Sequence, residues 1–77
     1  MTWVKFEQKL INLKEVKEIT IDGAELFFWF GEENELTLLF ESEEEANKCF
    51  EYLIVCLQNG INFIDFDKIV QQNKQNK

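Results

Sequence analysis

The side chains that could do chemistry in this 77-residue chain are mainly carboxylates, and six of them form two clusters. The clusters are Glu32, Glu33 and Glu35, and then Glu43, Glu44 and Glu45. Paired carboxylates can act as the acid and the base of glycoside hydrolysis, but that reaction needs a cleft that holds the sugar between them. A domain of this size offers little room for such a cleft, so we expect the carboxylates to form a binding surface.

The residues that other kinds of catalysis need are missing from the sequence. The chain contains no His, the usual general acid or base near neutral pH, and no Arg for bidentate phosphate binding. Its one serine, Ser42, is better explained as a helix cap, and its three glycines are isolated turn residues rather than a phosphate-binding loop. We therefore predict that the protein is not an enzyme and uses no cofactor.

The two cysteines, Cys49 and Cys56, lie seven residues apart in one predicted helix. At about 1.5 Å of rise per residue their Cα atoms are roughly 10.5 Å apart, beyond the limit of about 7 Å for a disulfide. The segment 65–67 (DFD) starts like a calcium loop, but Ile69 takes a ligand position. We predict no metal site, and two thiols that serve as small core residues in a reducing compartment.

Three β-rich segments form the clearest pattern in the chain. They are Val16–Ile21, Glu25–Phe30 and Glu35–Phe40. Turn signals separate them, at Asp22-Gly23 and at 31–34 (GEEN), so we predict an antiparallel meander of three strands. A less regular hairpin, Trp3–Phe6 with Leu10–Leu13, would extend the meander to five strands.

An amphipathic helix is predicted over residues 42–58. Ser42 and Glu45 form a capping box, the apolar residues after them share one face, and Gly60 is suited to the C-cap. We expect this helix to cover one face of the sheet. The fold class is then α+β, with an antiparallel β-meander of three to five strands followed by one packed helix.

The C-terminal segment is ambiguous in sequence. Residues 61–66 (INFIDF) fit a short strand or a turn, and Asp67 could cap a last helical turn over 68–72. We expect residues 1–72 to form a single domain and 73–77 (NKQNK) to be a polar, frayed tail.

The strand 25–30 (ELFFWF) is apolar on both faces. Alternation puts Phe27 and Trp29 on the face that the helix leaves open, together with Leu39 and, from the first strand, Trp3. An uncovered patch of this kind is larger than soluble monomers usually expose. It could be covered by the C-terminal segment, by a second copy in a homodimer, or by a different protein.

Charge is concentrated in the middle of the chain. Residues 22–51 contain ten acidic side chains and one lysine, net −9, whereas the two flanks are each net +1. A negative field repels phosphate backbones and anionic lipids and attracts a basic protein. We therefore predict a protein partner with a basic surface, no direct binding of nucleic acid and no membrane association. The chain has no apolar run of membrane-spanning or signal-peptide length, which favours the cytoplasm.

A further pattern runs over about residues 2–55. It consists of Trp3-Val4-Lys5, Leu10–Leu13, Val16, Ile19, the segment 40–46 (FESEEEA), Phe50 and Leu53. This pattern resembles small uncharacterised proteins of phages and mobile elements in Firmicutes-like bacteria. The resemblance implies a stoichiometric inhibitor of a host or defence enzyme, as anti-CRISPR proteins are.

The function hypothesis is a small acidic, non-catalytic module that docks on the basic, nucleic-acid-binding surface of a partner enzyme. The residues predicted to bind the partner are Phe27, Trp29, Glu32, Glu33, Glu35, Glu43, Glu44 and Glu45. The aromatic pair would anchor the contact and the carboxylates would steer it. The alternative hypothesis is a structural or assembly protein that self-associates through the second, apolar sheet face.

Overall fold

The computed structural model describes residues 1–75 of the chain. The strands are β1 (Trp3–Phe6), β2 (Lys9–Asn12), β3 (Glu18–Asp22), β4 (Glu25–Trp29), β5 (Glu35–Leu39) and β6 (Phe63–Asp65). The helices are α1 (Glu43–Gln58) and α2 (Phe66–Gln75), and a 3₁₀ turn lies at Leu13–Glu15. The α+β class predicted from the sequence is confirmed.

The central meander is present as an antiparallel sheet in the order β3-β4-β5. Gly23 follows β3 with φ of +61°, a conformation that glycine adopts without steric cost, and it closes a tight turn in which Asp22 pairs with Glu25. The second turn is closed by Phe30, whose N–H donates to the carbonyl of Asn34 at 2.8 Å. Both turns therefore form where the sequence indicated them.

The N-terminal hairpin does not extend this meander. It belongs to a second sheet in the order β2-β1-β6, in which β1 pairs antiparallel with β2 and parallel with β6. A parallel partner requires a long connection, and in this fold the whole β3–β5 sheet and α1 lie between the two strands. The prediction of one sheet covered by one helix is therefore corrected to two three-stranded sheets and two helices.

Helix α1 packs on the face of the β3–β5 sheet that carries Leu26 and Phe28. Its buried stripe is formed by Ala46, Cys49, Leu53 and Cys56. The Ser42 hydroxyl accepts a hydrogen bond from the Glu45 N–H at 3.1 Å, as the capping box predicts. Asn59 is the C-cap, and Gly60 follows it in the left-handed region, with φ of +68°.

Three phenylalanines join the two sheets to the second helix. The rings of Phe6 and Phe40 are 4.7 Å apart between centroids, and those of Phe40 and Phe66 are 6.2 Å apart. Val4, Ile64 and Phe66 are fully buried in the same core. One hydrophobic core therefore extends from the β3–β5 sheet to α2.

The C-terminal segment is more ordered than its sequence indicated. Residues 63–65 form β6, and α2 extends over ten residues rather than one turn. Asp65, not Asp67, caps this helix, because its carboxylate accepts the Asp67 N–H at 3.0 Å. The tail predicted for 73–77 begins inside α2, and its residues 76–77 lie outside the described part. Within residues 1–75 neither helix has the length and apolarity needed to cross a membrane.

Candidate functional site

The face of the β3–β5 sheet that α1 leaves open, which we call the outer face, carries three rows of side chains across the strands. The rows are Glu18–Trp29–Glu35, Thr20–Phe27–Thr37 and Asp22–Glu25–Leu39. Side chains directly opposite one another on adjacent strands lie about 4.5–5.5 Å apart at Cβ. The outer face is thus an aromatic pair bordered by hydroxyls and carboxylates.

The two aromatic side chains support each other on this face. The rings of Phe27 and Trp29 are stacked, with centroids 6.0 Å apart and an angle of 22° between their planes. The Trp29 indole N–H donates to the hydroxyl of Thr20 at 2.9 Å. Both rings are half-buried, so one surface of the pair remains in contact with solvent. The pair is therefore fixed in orientation and still able to take part in binding.

The first carboxylate cluster lies next to Trp29. Glu35 is directly across from Trp29 on β5, and Glu32 and Glu33 are exposed in the turn that follows β4. Glu32 and Trp29 also line one shallow depression with Glu18 and the cation of Lys17. The structure therefore brings together five of the eight residues that the sequence predicted for partner binding.

The second cluster lies elsewhere. The β4–β5 hairpin has its turn at one end, and α1 starts after β5 at the other, where the Phe40 N–H donates to the Ala24 carbonyl at 2.9 Å. The five residues of β5 separate the two ends, and their four steps at the usual rise per residue cover about 13 Å. Glu43 and Glu44 therefore do not share a surface with Trp29.

Lysines also offset the charge at the start of α1. Lys48 approaches Glu44 to 3.9 Å, and Lys74 contacts Glu41 at 2.7 Å. The hydrogen bond and the charge of Glu41 raise the pKa of Lys74. Glu45 is only 4% exposed, so it is not available as a surface contact. Glu32, Glu33 and Glu35, by contrast, form no ion pair within residues 1–75.

The sequence hypothesis did not include Glu18 and Thr20, which complete the surroundings of Trp29. A signal for both was available, since a two-residue turn that pairs Asp22 with Glu25 also pairs Thr20 with Phe27 and sets Glu18 opposite Trp29. This register follows from the length of the turn alone. It identifies the carboxylate and the hydroxyl that flank the indole.

The C-terminal segment does not cover the outer face. Its strand β6 pairs with β1, and Ile64 and Phe66 enter the core. Trp3 lies in the other sheet, beside Phe63, and so does not join the aromatic pair. The prediction that the C-terminal segment covers the outer face is thus wrong. A second copy of the chain and a different protein are the two alternatives that remain.

The remaining reactive groups are enclosed in the core. Cys49 and Cys56 are both buried and free. Burial, together with the charges of Glu45 and Asp67, raises the pKa of the Cys49 thiol to about 12. A thiol of that pKa is almost entirely protonated at neutral pH and is a poor nucleophile. Within residues 1–75, no three carboxylates and thiols lie close enough together to hold a metal ion.

No protein-family model, curated protein or solved structure matches this chain.

Proposed function

We propose that the protein is a non-catalytic binding module that docks its outer face, with the β4–β5 turn, on a basic surface of a partner protein. The row Glu18–Trp29–Glu35 is the observation that supports this proposal best. An indole between two carboxylates is suited to a lysine or arginine side chain. The cation can lie on the ring while its charge is balanced from both sides.

The energies of the two kinds of contact are complementary. A cation over a tryptophan ring contributes about 0.5–2 kcal/mol, depending on how well water is excluded. Tryptophan is also among the residues that most often dominate protein interfaces. The carboxylates add attraction at long range, which accelerates association at low salt. Trp29 would thus hold the partner, and Glu32, Glu33 and Glu35 would guide it.

The partner class follows from the sign of the charge. A protein of net charge −7 that presents Glu32, Glu33 and Glu35 around one turn can enter a groove that normally holds a phosphate backbone. Together with the resemblance to phage proteins, this favours an inhibitor that blocks a nucleic-acid-binding enzyme stoichiometrically. We place it in the cytoplasm, since two free thiols fit a reducing compartment.

The test is affinity capture from the host, with elution in a salt gradient, followed by affinity measurements on variants. Glu32→Lys/Glu33→Lys should weaken binding at low salt by about tenfold or more and flatten its salt dependence. The matched control is Glu15→Lys/Glu51→Lys, which changes the net charge equally at two exposed positions outside the outer face. The proposal fails if both pairs of substitutions have the same effect.

A second candidate function is self-assembly through the same sheet. Leu39 is 67% exposed on β5, which has β4 as its one partner strand within residues 1–75. If β5 paired antiparallel with its counterpart in a second copy, Thr37 would face Thr37 and Leu39 would face Glu35. No like charges would then oppose each other.

Light scattering at micromolar concentration separates the two candidates. Self-assembly through β5 predicts a dimer that is insensitive to salt and is disrupted by Leu39→Glu, because the new carboxylate would face Glu35 of the second copy. The binding module predicts a monomer at every concentration and salt. A monomer that still binds its partner through Trp29 would exclude the assembly function.

A further inference from the structure

A second surface, which shares Lys17 and Glu18 with the depression beside Trp29, has the properties of a peptide-binding groove. A cavity of about 690 Å³ opens between the residues that lead into β3, the 3₁₀ turn and the C-terminal end of α1. Its walls are mainly apolar and include Leu13, Val16, Ile19 and Leu57. The volume is within the range of about 300–1,000 Å³ that is usual for ligand sites.

This groove reaches the edge of β3 at the start of the strand. Glu18 and Ile19, the first two residues of β3, line it together with Val16 and Lys17, which lead into the strand. Glu18 and Ile19 point to opposite faces of the sheet, so a cavity that both of them line lies at the edge of the strand. β3 is an outer strand of its sheet, and within residues 1–75 it pairs with β4 alone. Its second edge therefore presents backbone N–H and C=O groups without a partner strand.

The rim of the groove is cationic in an otherwise acidic protein. Lys14 and Lys17 both line it, both are exposed, and neither forms an ion pair within the described part of the chain. Glu18 is the one carboxylate on the rim. The groove thus has the opposite charge preference to the outer face and suits an anionic ligand.

We propose that this groove binds an extended segment of another protein, which adds as a strand to β3. Alternate side chains of that segment would pack against the apolar walls, and a carboxylate would lie against Lys14 and Lys17. Strand addition of this kind obtains its affinity from backbone hydrogen bonds and its specificity from the pockets for alternate side chains. The protein would then have two binding surfaces, one for a basic partner and one for an acidic, extended segment.

Two other occupants fit the groove less well. In an antiparallel pair of β3 with a second copy centred on Thr20, Glu18 would face Asp22 twice, and like charges directly opposite destabilise a sheet. A small apolar acid could fill the walls and reach the lysines, but it would leave the backbone groups of the β3 edge unpaired. A peptide strand can pack on the apolar walls, pair a carboxylate with the lysines and bond the free edge of β3 at the same time.

The experiment uses the full chain and a displayed library of random octapeptides. We expect enriched sequences that alternate apolar residues with at least one Asp or Glu. The best enriched peptide should shift the backbone amide signals of residues 16–22 and leave Thr37, on the outer face, unchanged. Lys14→Glu should weaken binding by about tenfold or more. The matched control, Lys68→Glu, makes the same charge change at an exposed position on α2 and should not weaken it.

A second measurement separates strand addition from simple filling of the walls. The same peptide, methylated at alternate backbone nitrogens, keeps its side chains and loses its ability to pair with a strand. We expect its binding to be lost. The proposal is overturned if no sequence is enriched over an unrelated acidic protein or if the methylated peptide binds as well. It also fails if the peptide shifts Thr37 instead of residues 16–22, or if the free protein dimerises through β3.

Discussion

The Asp67 carboxylate accepts a hydrogen bond from the backbone N–H of Glu7 at 2.9 Å and so joins α2 to the β1–β2 turn across 60 residues of chain. Glu7 has φ of +54°, a left-handed conformation that is uncommon for a residue other than glycine. The Lys5 ammonium bonds the second oxygen of the same carboxylate. One side chain thus fixes a strained turn, a strand and the start of a helix.

We predict that Asp67→Ala destabilises the protein by about 1 kcal/mol, because it leaves the Glu7 N–H without its acceptor and removes the counter-charge of Lys5. Urea denaturation measures the change. Lys68→Ala is the control, since Lys68 is exposed and forms no ion pair within the described residues. Equal costs for the two substitutions would show that the Asp67 contacts add nothing to stability.

The same carboxylate should make stability depend on pH in the acid range. Burial by itself would raise the pKa of Asp67, but the hydrogen bonds from Lys5 and from the Glu7 N–H outweigh it and lower the pKa below its ordinary value of 3.8. The folded protein then binds fewer protons than the unfolded chain in this range. The contribution is therefore complete above the ordinary pKa and is lost as the pH falls through the folded value.

The comparison of wild type with Asp67→Asn isolates this effect. The difference in their free energies of unfolding should be constant from neutral pH down to about pH 5 and should shrink below about pH 4. Urea titrations at several pH values provide the measurement. A difference that grew on acidification would mean that folding raises the pKa of Asp67 instead of lowering it.

Most of the β3–β5 sheet and α1 could be predicted from the sequence, because local signals specify both. A tight turn, a capping box and the alternation of apolar residues act over a few positions and need no distant partner. In the second sheet only the β1–β2 hairpin has a local signal, and the pairing of β1 with β6 has none. β6 has three residues and pairs with β1 in parallel, so its position depends on contacts that form only after the intervening chain has folded.

Only part of the candidate site could be predicted from the sequence. Alternation along β4 indicates the outward position of Phe27 and Trp29. The acidic residues are close in sequence, however, and nothing in their pattern shows that the two clusters lie at opposite ends of a hairpin. The burial of Glu45 had a local signal that the charge pattern obscured. Glu45 precedes the buried Cys49 by four residues, which places it near the buried stripe of α1.

Neighbouring phenylalanines test which face of β4 is the core. Phe28 is fully buried and Phe27 is half-buried on the outer face. Phe28→Leu should cost about 1–2 kcal/mol of stability because it disturbs a closely packed core, whereas Phe27→Leu should cost about 0.5 kcal/mol or less. Thermal and urea unfolding of the two variants make the comparison. The reverse order of costs would contradict the assignment of the faces.

The reactivity of the two thiols tests whether the core around Cys49 and Cys56 is closed to solvent. Ellman's reagent reacts with exposed thiolates, so both cysteines should react at least about a hundredfold more slowly in the native protein than in urea. The variants Cys49→Ala and Cys56→Ala assign the residual reaction to one thiol or the other. Rapid reaction of Cys49 in the native protein at neutral pH would disagree with its burial and with its pKa of about 12.

The N-caps of the two helices can be tested by matched substitutions. Ser42 caps α1 through the Glu45 N–H, and Asp65 caps α2 through the Asp67 N–H. Replacing either by Ala should cost about 1 kcal/mol, whereas Ser42→Asp and Asp65→Asn keep an acceptor at the cap and should cost much less. Amide hydrogen exchange should locate each loss in the helix concerned. If Asp65→Ala and Asp65→Asn were equally destabilising, the side chain would act through its charge beside Lys5 rather than as the cap of α2.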